Sequence, residues 1–121
     1  MNNTNKVLGK LGEDIAYNHY VNMGYEILDR NFSIKRGEID LIAKKDKIVV
    51  FVEVKSRRSN TFGAPRESVT IFKQNKIKFI SNYYIIKNNL NNFLIRYDIA
   101  EVLLNNKYNN YRINILEDAF R

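Results

Sequence analysis

Apolar residues recur at two different spacings along this chain, and the change of spacing divides it into helices and strands. From Val7 to Met23 they recur every three or four residues, which predicts an amphipathic helix with Gly24 as its C-terminal cap. The same spacing predicts a second helix from Glu67 to Lys87. Shorter apolar stretches with β-forming residues predict strands at residues 25–34, 37–56 (a hairpin), 93–104 and 111–116.

The predicted element order is α-β-β-β-α-β-β, which indicates an α/β fold built on one mixed sheet flanked by helices. A polar stretch from Arg57 to Arg66, which holds the only proline, predicts a loop between the hairpin and the second helix. A length of 121 residues is typical of one domain, so we expect residues 1–121 to form a single unit.

Three charged residues interrupt the apolar strands of the hairpin. Asp40 lies in its first strand, and Glu53 and Lys55 lie in its second strand. Apolar strands usually form the interior of a sheet, where an unpaired charge is strongly disfavoured. A ligand that binds carboxylates, most simply a metal ion, gives a reason for placing these groups there.

The register of the hairpin follows from its turn. With Asp46-Lys47 as a two-residue turn, Asp40 is expected opposite Glu53, and Glu38 opposite Lys55. Opposed residues on antiparallel strands point to the same face with Cβ atoms roughly 4.5–5.5 Å apart. Two carboxylates and an ammonium group are therefore predicted to converge on one face.

The chain is strongly basic. It has 20 Lys and Arg residues against 13 Asp and Glu residues, a net charge of +7, which fits either a polyanion such as nucleic acid or a solvated basic surface. The absence of cysteine excludes disulfides, thiolate zinc sites and cysteine nucleophiles. We identify no signal-peptide core and no apolar segment long enough to span a bilayer, so a cytoplasmic protein without membrane partners is expected.

An Asp on one strand followed by Glu-x-Lys on the next suits phosphodiester hydrolysis. Mg²⁺ prefers oxygen ligands and is usually held by one or two carboxylates with water and substrate phosphate. Lys55 could then orient water or neutralise developing charge. The alternative is a patch of ion pairs, with Glu38 bound to Lys55 and Asp40 bound to a nearby arginine.

Several segments resemble the YraN family of bacterial predicted endonucleases. The resemblance extends over nearly the whole chain and is carried by RGEIDLIA (residues 36–43), VFVEVKSR (50–57), Gly12-Glu13, Lys73-Gln74 and Arg96-Tyr97-Asp98. That family is similar to the PD-(D/E)xK nucleases, which have the restriction-endonuclease-like fold, and to archaeal Holliday-junction resolvases.

The resemblance implies a site for Mg²⁺ or Mn²⁺. Asp40, Glu53 and Glu13 are its implied ligands and Lys55 its catalytic lysine, while Ile39 stands where the superfamily motif has proline. Glu13 could alternatively serve only the dipole of the first helix.

Six further residues near the motif are candidates for contacts to DNA: Arg36, Arg57, Arg58, Arg66, Lys73 and Gln74. The arginines could bind phosphates, and Gln74 could support the site or simply face solvent.

The expected function is hydrolysis of DNA by a metal-dependent endonuclease. No segment resembles a recognition helix, so branched or end-containing DNA is the expected substrate, with a homodimer as a further expected partner. Two alternatives stay open, namely an inactive nucleic-acid-binding module of a larger assembly and a structural domain that binds protein.

Overall fold

A computed structural model describes residues 3–58 and 69–121 of the chain. The elements follow the predicted order and are α1 (Asn3–Asn22), β1 (Glu26–Ile34), β2 (Gly37–Lys45), β3 (Ile48–Arg58), α2 (Ile71–Lys87), β4 (Leu94–Leu104) and β5 (Tyr111–Phe120). The predicted α/β class is confirmed, and the architecture is consistent with the restriction-endonuclease-like fold. Neither described helix combines the length and the apolar character needed to cross a membrane.

The five strands form one sheet in the order β1-β2-β3-β4-β5. Neighbouring strands are antiparallel except β3 and β4, which are parallel from Ile48–Leu94 to Arg58–Leu104. A parallel pair needs a long crossover connection, and the segment that contains α2 supplies it. The central strand β3 is therefore covered on both faces, which explains its continuous apolar run.

Alternate residues of β3 pack under different helices. Val49 and Phe51 belong to the cluster that includes Ile77 and Ile80 of α2. Val50 and Val52 belong to the cluster that includes Ala16 and Tyr20 of α1. Glu53 and Lys55 follow directly on this segment of β3, which is covered on both faces, so the backbone that carries them is held by packing from both helices.

Gly24 ends α1 as predicted, with a left-handed φ of +94°. The Gly24 amide donates to the Val21 carbonyl at 3.0 Å, and the Tyr25 amide donates to the Tyr20 carbonyl at 3.0 Å. This pair of bonds is a Schellman motif, which satisfies carbonyls that the helix leaves open and favours glycine at this position.

Several predicted boundaries are wrong. Helix α1 begins at Asn3 rather than at Val7, so Glu13 lies in the middle of the helix and not near its start, and β3 extends to Arg58, two residues into the predicted loop. Helix α2 begins at Ile71 rather than at Glu67, because Thr70 is its N-cap and its side chain accepts a hydrogen bond from the Lys73 amide. Strand β5 continues to Phe120 rather than ending at Leu116. The polar pair after Leu116 lies at an irregularity in the β4–β5 register, where Asp118 has a φ of +56°, and such a bulge interrupts the apolar alternation.

A buried carboxylate ties α1, β4 and β5 together. Asp98 accepts hydrogen bonds from the Tyr20 hydroxyl (2.8 Å), the Arg96 guanidinium (2.8 and 2.9 Å) and the Asp118 amide (3.0 Å). Because every donor comes from a different part of the sheet or from α1, this network fixes how α1 lies across the strands.

Tyr20→Phe is expected to destabilise the protein by about 1.5 kcal/mol, since it removes one hydrogen bond to a buried charged group. Urea unfolding measures the change. Tyr17→Phe is the matched control on the same helix. The Tyr17 ring contacts Arg30 through its face, so loss of its hydroxyl is expected to alter stability by less than about 0.5 kcal/mol. Equal losses in the two variants would contradict the assigned role of the Tyr20 hydroxyl.

Candidate functional site

The hairpin has the predicted register, but only as far as its charged end. Strands β2 and β3 pair from Lys45–Ile48 to Leu41–Val52, around a turn in which Asp46 has a φ of +55°. These pairs are the ones expected from a turn at Asp46-Lys47.

Beyond Leu41 the ladder gives way to a side-chain contact. The carboxylate of Asp40 accepts a hydrogen bond from the Val54 amide at 2.8 Å. Ile39 and Ile42 both join the cluster under α2, so the regular alternation of β2 changes between them. The predicted direct pairing of Asp40 with Glu53 and of Glu38 with Lys55 is therefore absent from the β2–β3 ladder of the described residues.

Three carboxylates converge at this point of the sheet. Oxygens of Glu13 from α1 and of Glu38 and Asp40 from β2 all lie within 4.8 Å of one another. Asn31 of β1 donates 3.1 Å hydrogen bonds to both Glu13 and Glu38, which holds the helix and the strand in place. The structure thus brings Glu13 of the first helix next to Asp40, and its role as a ligand stays a prediction.

Glu38 is a member of this acidic group that the sequence alone did not single out as a ligand. The available signal is its position two residues before Asp40 on one strand, which places both side chains on the same face. Glu38 accepts a hydrogen bond from Asn31 and Asp40 accepts one from the Val54 amide, and no ion pair of either carboxylate is found among the described residues.

The surroundings of Asp40 disfavour its charged form. Burial raises the pKa of Asp40 to about 7, the negative charge of Glu53 adds to the increase, and the Val54 amide partly opposes it. Glu13 and Glu38 contribute further repulsion. A carboxylate in this position is stabilised by a proton or by a cation between it and its neighbours. The set of oxygen donors therefore fits a hard divalent ion.

Glu53 lies beside Asp40 but has a different partner. It is buried, and Lys73 of α2 approaches its carboxylate at 3.1 Å. The metal-ligand role that the resemblance implies for Glu53 would require this ion pair to open or to share the carboxylate with the ion.

Two cavities meet at Asp40 and Glu53, which line both of them. The first, of about 220 Å³, is basic on its α2 side and is lined by Gly37, Glu38, Asp40, Glu53, Lys73, Lys76 and Ile77. The second, of about 350 Å³, lies under α1 and is lined by Asn5, Leu8, Gly9, Glu13, Asp40, Glu53, Val54 and Ser56. A polymeric ligand can thus approach the carboxylates of Asp40 and Glu53 from either cavity.

Lys55 follows Glu53 on β3. The parallel register with β4 is regular over this segment and places Lys55 beside Glu101. Strand alternation then puts Lys55 on the same face as Glu53. The predicted opposition of Lys55 to Glu38 is absent from the β2–β3 ladder of the described residues, and its role beside Glu53 stays a prediction.

The candidate DNA contacts at the end of β3 have different partners. Arg57 lies 3.6 Å from the carboxylate of buried Glu101, so it is tied to β4. Arg58 is exposed, and its guanidinium donates to the Tyr108 hydroxyl at 3.3 and 3.4 Å. Arg66 lies outside the described residues.

The other three candidates lie in α2 or against it, and one of them, Lys73, is the partner of Glu53. Gln74 donates a 2.9 Å hydrogen bond to the carbonyl of Val69, so it stabilises the start of α2 rather than simply facing solvent. Arg36, in the turn before β2, lies over the ring of Phe79 at 4.5 Å from its centroid.

Comparison with known proteins finds one family model that matches most of the chain. The model described as "Uncharacterised protein family UPF0102" matches residues 12–102. A UPF0102 protein of Clostridium tetani (strain Massachusetts / E88) is 47% identical over 121 residues, which cover 100% of this chain and 99% of that protein. A UPF0102 protein of Clostridium perfringens (strain 13 / Type A) is 46% identical with the same coverage.

Proposed function

We propose a function for this chain, which belongs to the uncharacterised protein family UPF0102, the YraN family. The proposed function is hydrolysis of phosphodiester bonds of DNA with a divalent metal ion. The names of its relatives state no activity, so the proposal rests on the site. The convergence of Glu13, Glu38 and Asp40 within 4.8 Å, beside buried Glu53, is the observation that carries it.

Mg²⁺ or Mn²⁺ is the ion that this site would hold. Both ions favour carboxylate and water oxygens, and the described cluster offers carboxylate oxygens from Glu13, Glu38 and Asp40. Held by these carboxylates, a divalent ion would supply an activated water and stabilise negative charge on phosphate oxygens. The ion would replace the proton that burial favours on Asp40.

Lys55 of β3 and Lys73 of α2 would supply positive charge to the reacting groups. In our proposal Lys55 places its ammonium on the same face as Glu53, where it can donate a hydrogen bond to a phosphate oxygen or to the attacking water. Lys73, now 3.1 Å from Glu53, can turn to a phosphate when substrate or metal engages that carboxylate.

The basic side of the first cavity supports an anionic polymer as substrate. Lys73 and Lys76 line it together with Asp40 and Glu53, so phosphates beside the scissile bond would meet two cations. Branches or ends of DNA are proposed as the target rather than a sequence, because no segment of the chain resembles a recognition helix.

A second candidate is a DNA-binding module that holds a metal but cuts poorly. The Lys73–Glu53 ion pair favours it, because a carboxylate already bound by a lysine is less available as a ligand. Cleavage assays on branched, flapped and linear DNA with Mn²⁺ separate the two candidates.

Lys55→Ala is expected to lower the cleavage rate by about 100-fold or more, since it removes a cation that stabilises developing charge. Lys47→Ala, in the exposed hairpin turn, is the matched control and is expected to cut like the parent. Cleavage that survives both Lys55→Ala and Glu53→Gln would come from a contaminant. DNA binding without any cleavage by the parent would favour the second candidate.

A further inference from the structure

Helix α2 exposes a row of four apolar side chains, of which Tyr83 also stacks on Phe32 at the margin of the core. Phe72, Phe79, Tyr83 and Ile86 are 73%, 47%, 46% and 68% exposed. At 100° per residue these four positions fall within about 60° of one another around the helix. We call this row of four side chains the α2 stripe.

Cations accompany each aromatic ring of the α2 stripe. Lys76 lies 5.4 Å from the ring centroid of Phe72, Arg36 lies 4.5 Å from that of Phe79, and Lys87 lies 5.8 Å from that of Tyr83. Apolar rings and positive charges therefore alternate along one side of the helix.

The helix that carries the stripe has no acidic residue. Its sequence, IFKQNKIKFISNYYIIK, contains four lysines and neither Asp nor Glu. A second copy of the same helix would bring like charges together, which disfavours a symmetric dimer through this face. The complementary partner is an anion that also presents flat apolar surfaces.

We propose that the α2 stripe binds a single-stranded segment of nucleic acid, with bases stacked on the aromatic rings and phosphates bound by the flanking cations. Single-stranded nucleic acid is recognised through this combination of aromatic platforms and positive charge, whereas the bases of a duplex are already stacked on one another. This inference rests on the proposed function, because the single strand bound by α2 would be an unpaired part of the DNA substrate.

The position of the stripe is continuous with the candidate site. Lys76 both covers Phe72 and lines the cavity that contains Asp40 and Glu53. Arg36 directly precedes Gly37, which lines the same cavity. A strand leaving the carboxylates would thus pass onto α2.

The stripe also has a suitable length. From Phe72 to Ile86 it extends about 21 Å along the helix axis. At about 3.4 Å per stacked nucleotide this length accommodates roughly six nucleotides. The inferred substrate is DNA with an unpaired arm next to the bond that is cut.

Binding measured without metal tests this inference separately from cleavage. Fluorescence anisotropy would follow the full-length protein with a labelled oligo-dT of about twelve nucleotides and with a blunt duplex, both in EDTA. Phe79→Leu keeps an apolar side chain but removes the ring, and is expected to weaken oligo-dT binding about tenfold while leaving duplex binding unchanged. Phe79→Tyr keeps the ring and is expected to bind like the parent.

Matched controls define the contrary outcomes. Tyr111→Leu removes a 57% exposed ring at the start of β5, outside the α2 stripe, and is expected to have no effect on oligo-dT binding. Unchanged oligo-dT binding by Phe79→Leu, or an equal loss for oligo-dT and duplex, would overturn the inference. The inference would also be overturned if the parent did not bind oligo-dT but bound phosphatidylcholine vesicles containing phosphatidylglycerol. The α2 stripe would then be a membrane-surface contact. Absence of metal-dependent cleavage alone would contradict only the proposed function.

Discussion

Asp40→Asn is expected to stabilise the metal-free protein and, at the same time, to abolish its stabilisation by Mn²⁺. Asparagine keeps an oxygen that can accept the 2.8 Å hydrogen bond from the Val54 amide, but it carries no charge. The substitution therefore removes repulsion from Glu53, Glu13 and Glu38 without removing the backbone contact.

The pH dependence of this effect follows from the raised pKa. Asp40 has a pKa of about 7 in the folded protein, against about 3.9 in an unfolded chain. Between these values the folded state binds more protons than the unfolded state, so Asp40 lowers stability progressively as pH rises from about 4 to about 7. At pH 8 Asp40→Asn is expected to gain about 2–4 kcal/mol relative to the parent, and at pH 4 about none.

Chemical unfolding at pH 4 and pH 8, with and without Mn²⁺, measures both effects. A ligand present at 100 times its dissociation constant stabilises the native state by about 2.7 kcal/mol, and this gain is expected for the parent alone. Asp46→Asn, in the exposed turn of the same hairpin, is the matched control and should retain the Mn²⁺ response. An Asp40→Asn protein that is less stable at pH 8 and still responds to Mn²⁺ would exclude Asp40 from the metal site.

Gly12→Ala is expected to destabilise the protein by about 3 kcal/mol, because α1 has no room for a side chain where it crosses β3. A Cβ added to Gly12 would lie 1.7 Å from the Ser56 hydroxyl oxygen and 2.8 Å from Ser56 Cβ. The clash involves an atom attached directly to the backbone, so the helix has to move away from the strand. Because Glu13 is the next residue, the movement also separates its carboxylate from Asp40, and the Mn²⁺ response should weaken.

Gly9→Ala provides the opposite expectation on the same helix. Among the described residues, no atom outside the adjacent residues and the backbone of α1 lies within 4 Å of the Cβ that it would add. Alanine at this helical position should therefore stabilise the protein by about 0.5–1 kcal/mol. Ser56→Gly combined with Gly12→Ala is expected to recover part of the lost stability and of the metal response. Equal behaviour of Gly9→Ala and Gly12→Ala in urea unfolding would contradict the close approach of α1 to β3.

The elements and the inner hairpin could be predicted because they depend on residues close together in sequence. Periodicity identified both helices and all the strands, and the turn at Asp46-Lys47 fixed the register as far as Leu41–Val52. The prediction failed at the next pair, since extrapolation assumed a regular ladder. The Val54 amide donates its hydrogen bond to the side chain of Asp40 instead of to a backbone carbonyl of β2. The periodic pattern of apolar residues does not predict such a replacement.

The sequence by itself determined that acids and a lysine interrupt apolar strands in a basic chain, and the family resemblance added Glu13 from a distant helix. Only the tertiary structure decided which of these acids meet. The packing of α1 across β3 at Gly12 brings Glu13 to Glu38 and Asp40, and α2 brings Lys73 to Glu53. The docking of helices on a twisted sheet also decides which aromatic rings of α2 stay exposed. These outcomes depend on contacts between residues far apart in the chain, whereas periodicity is a property of neighbours.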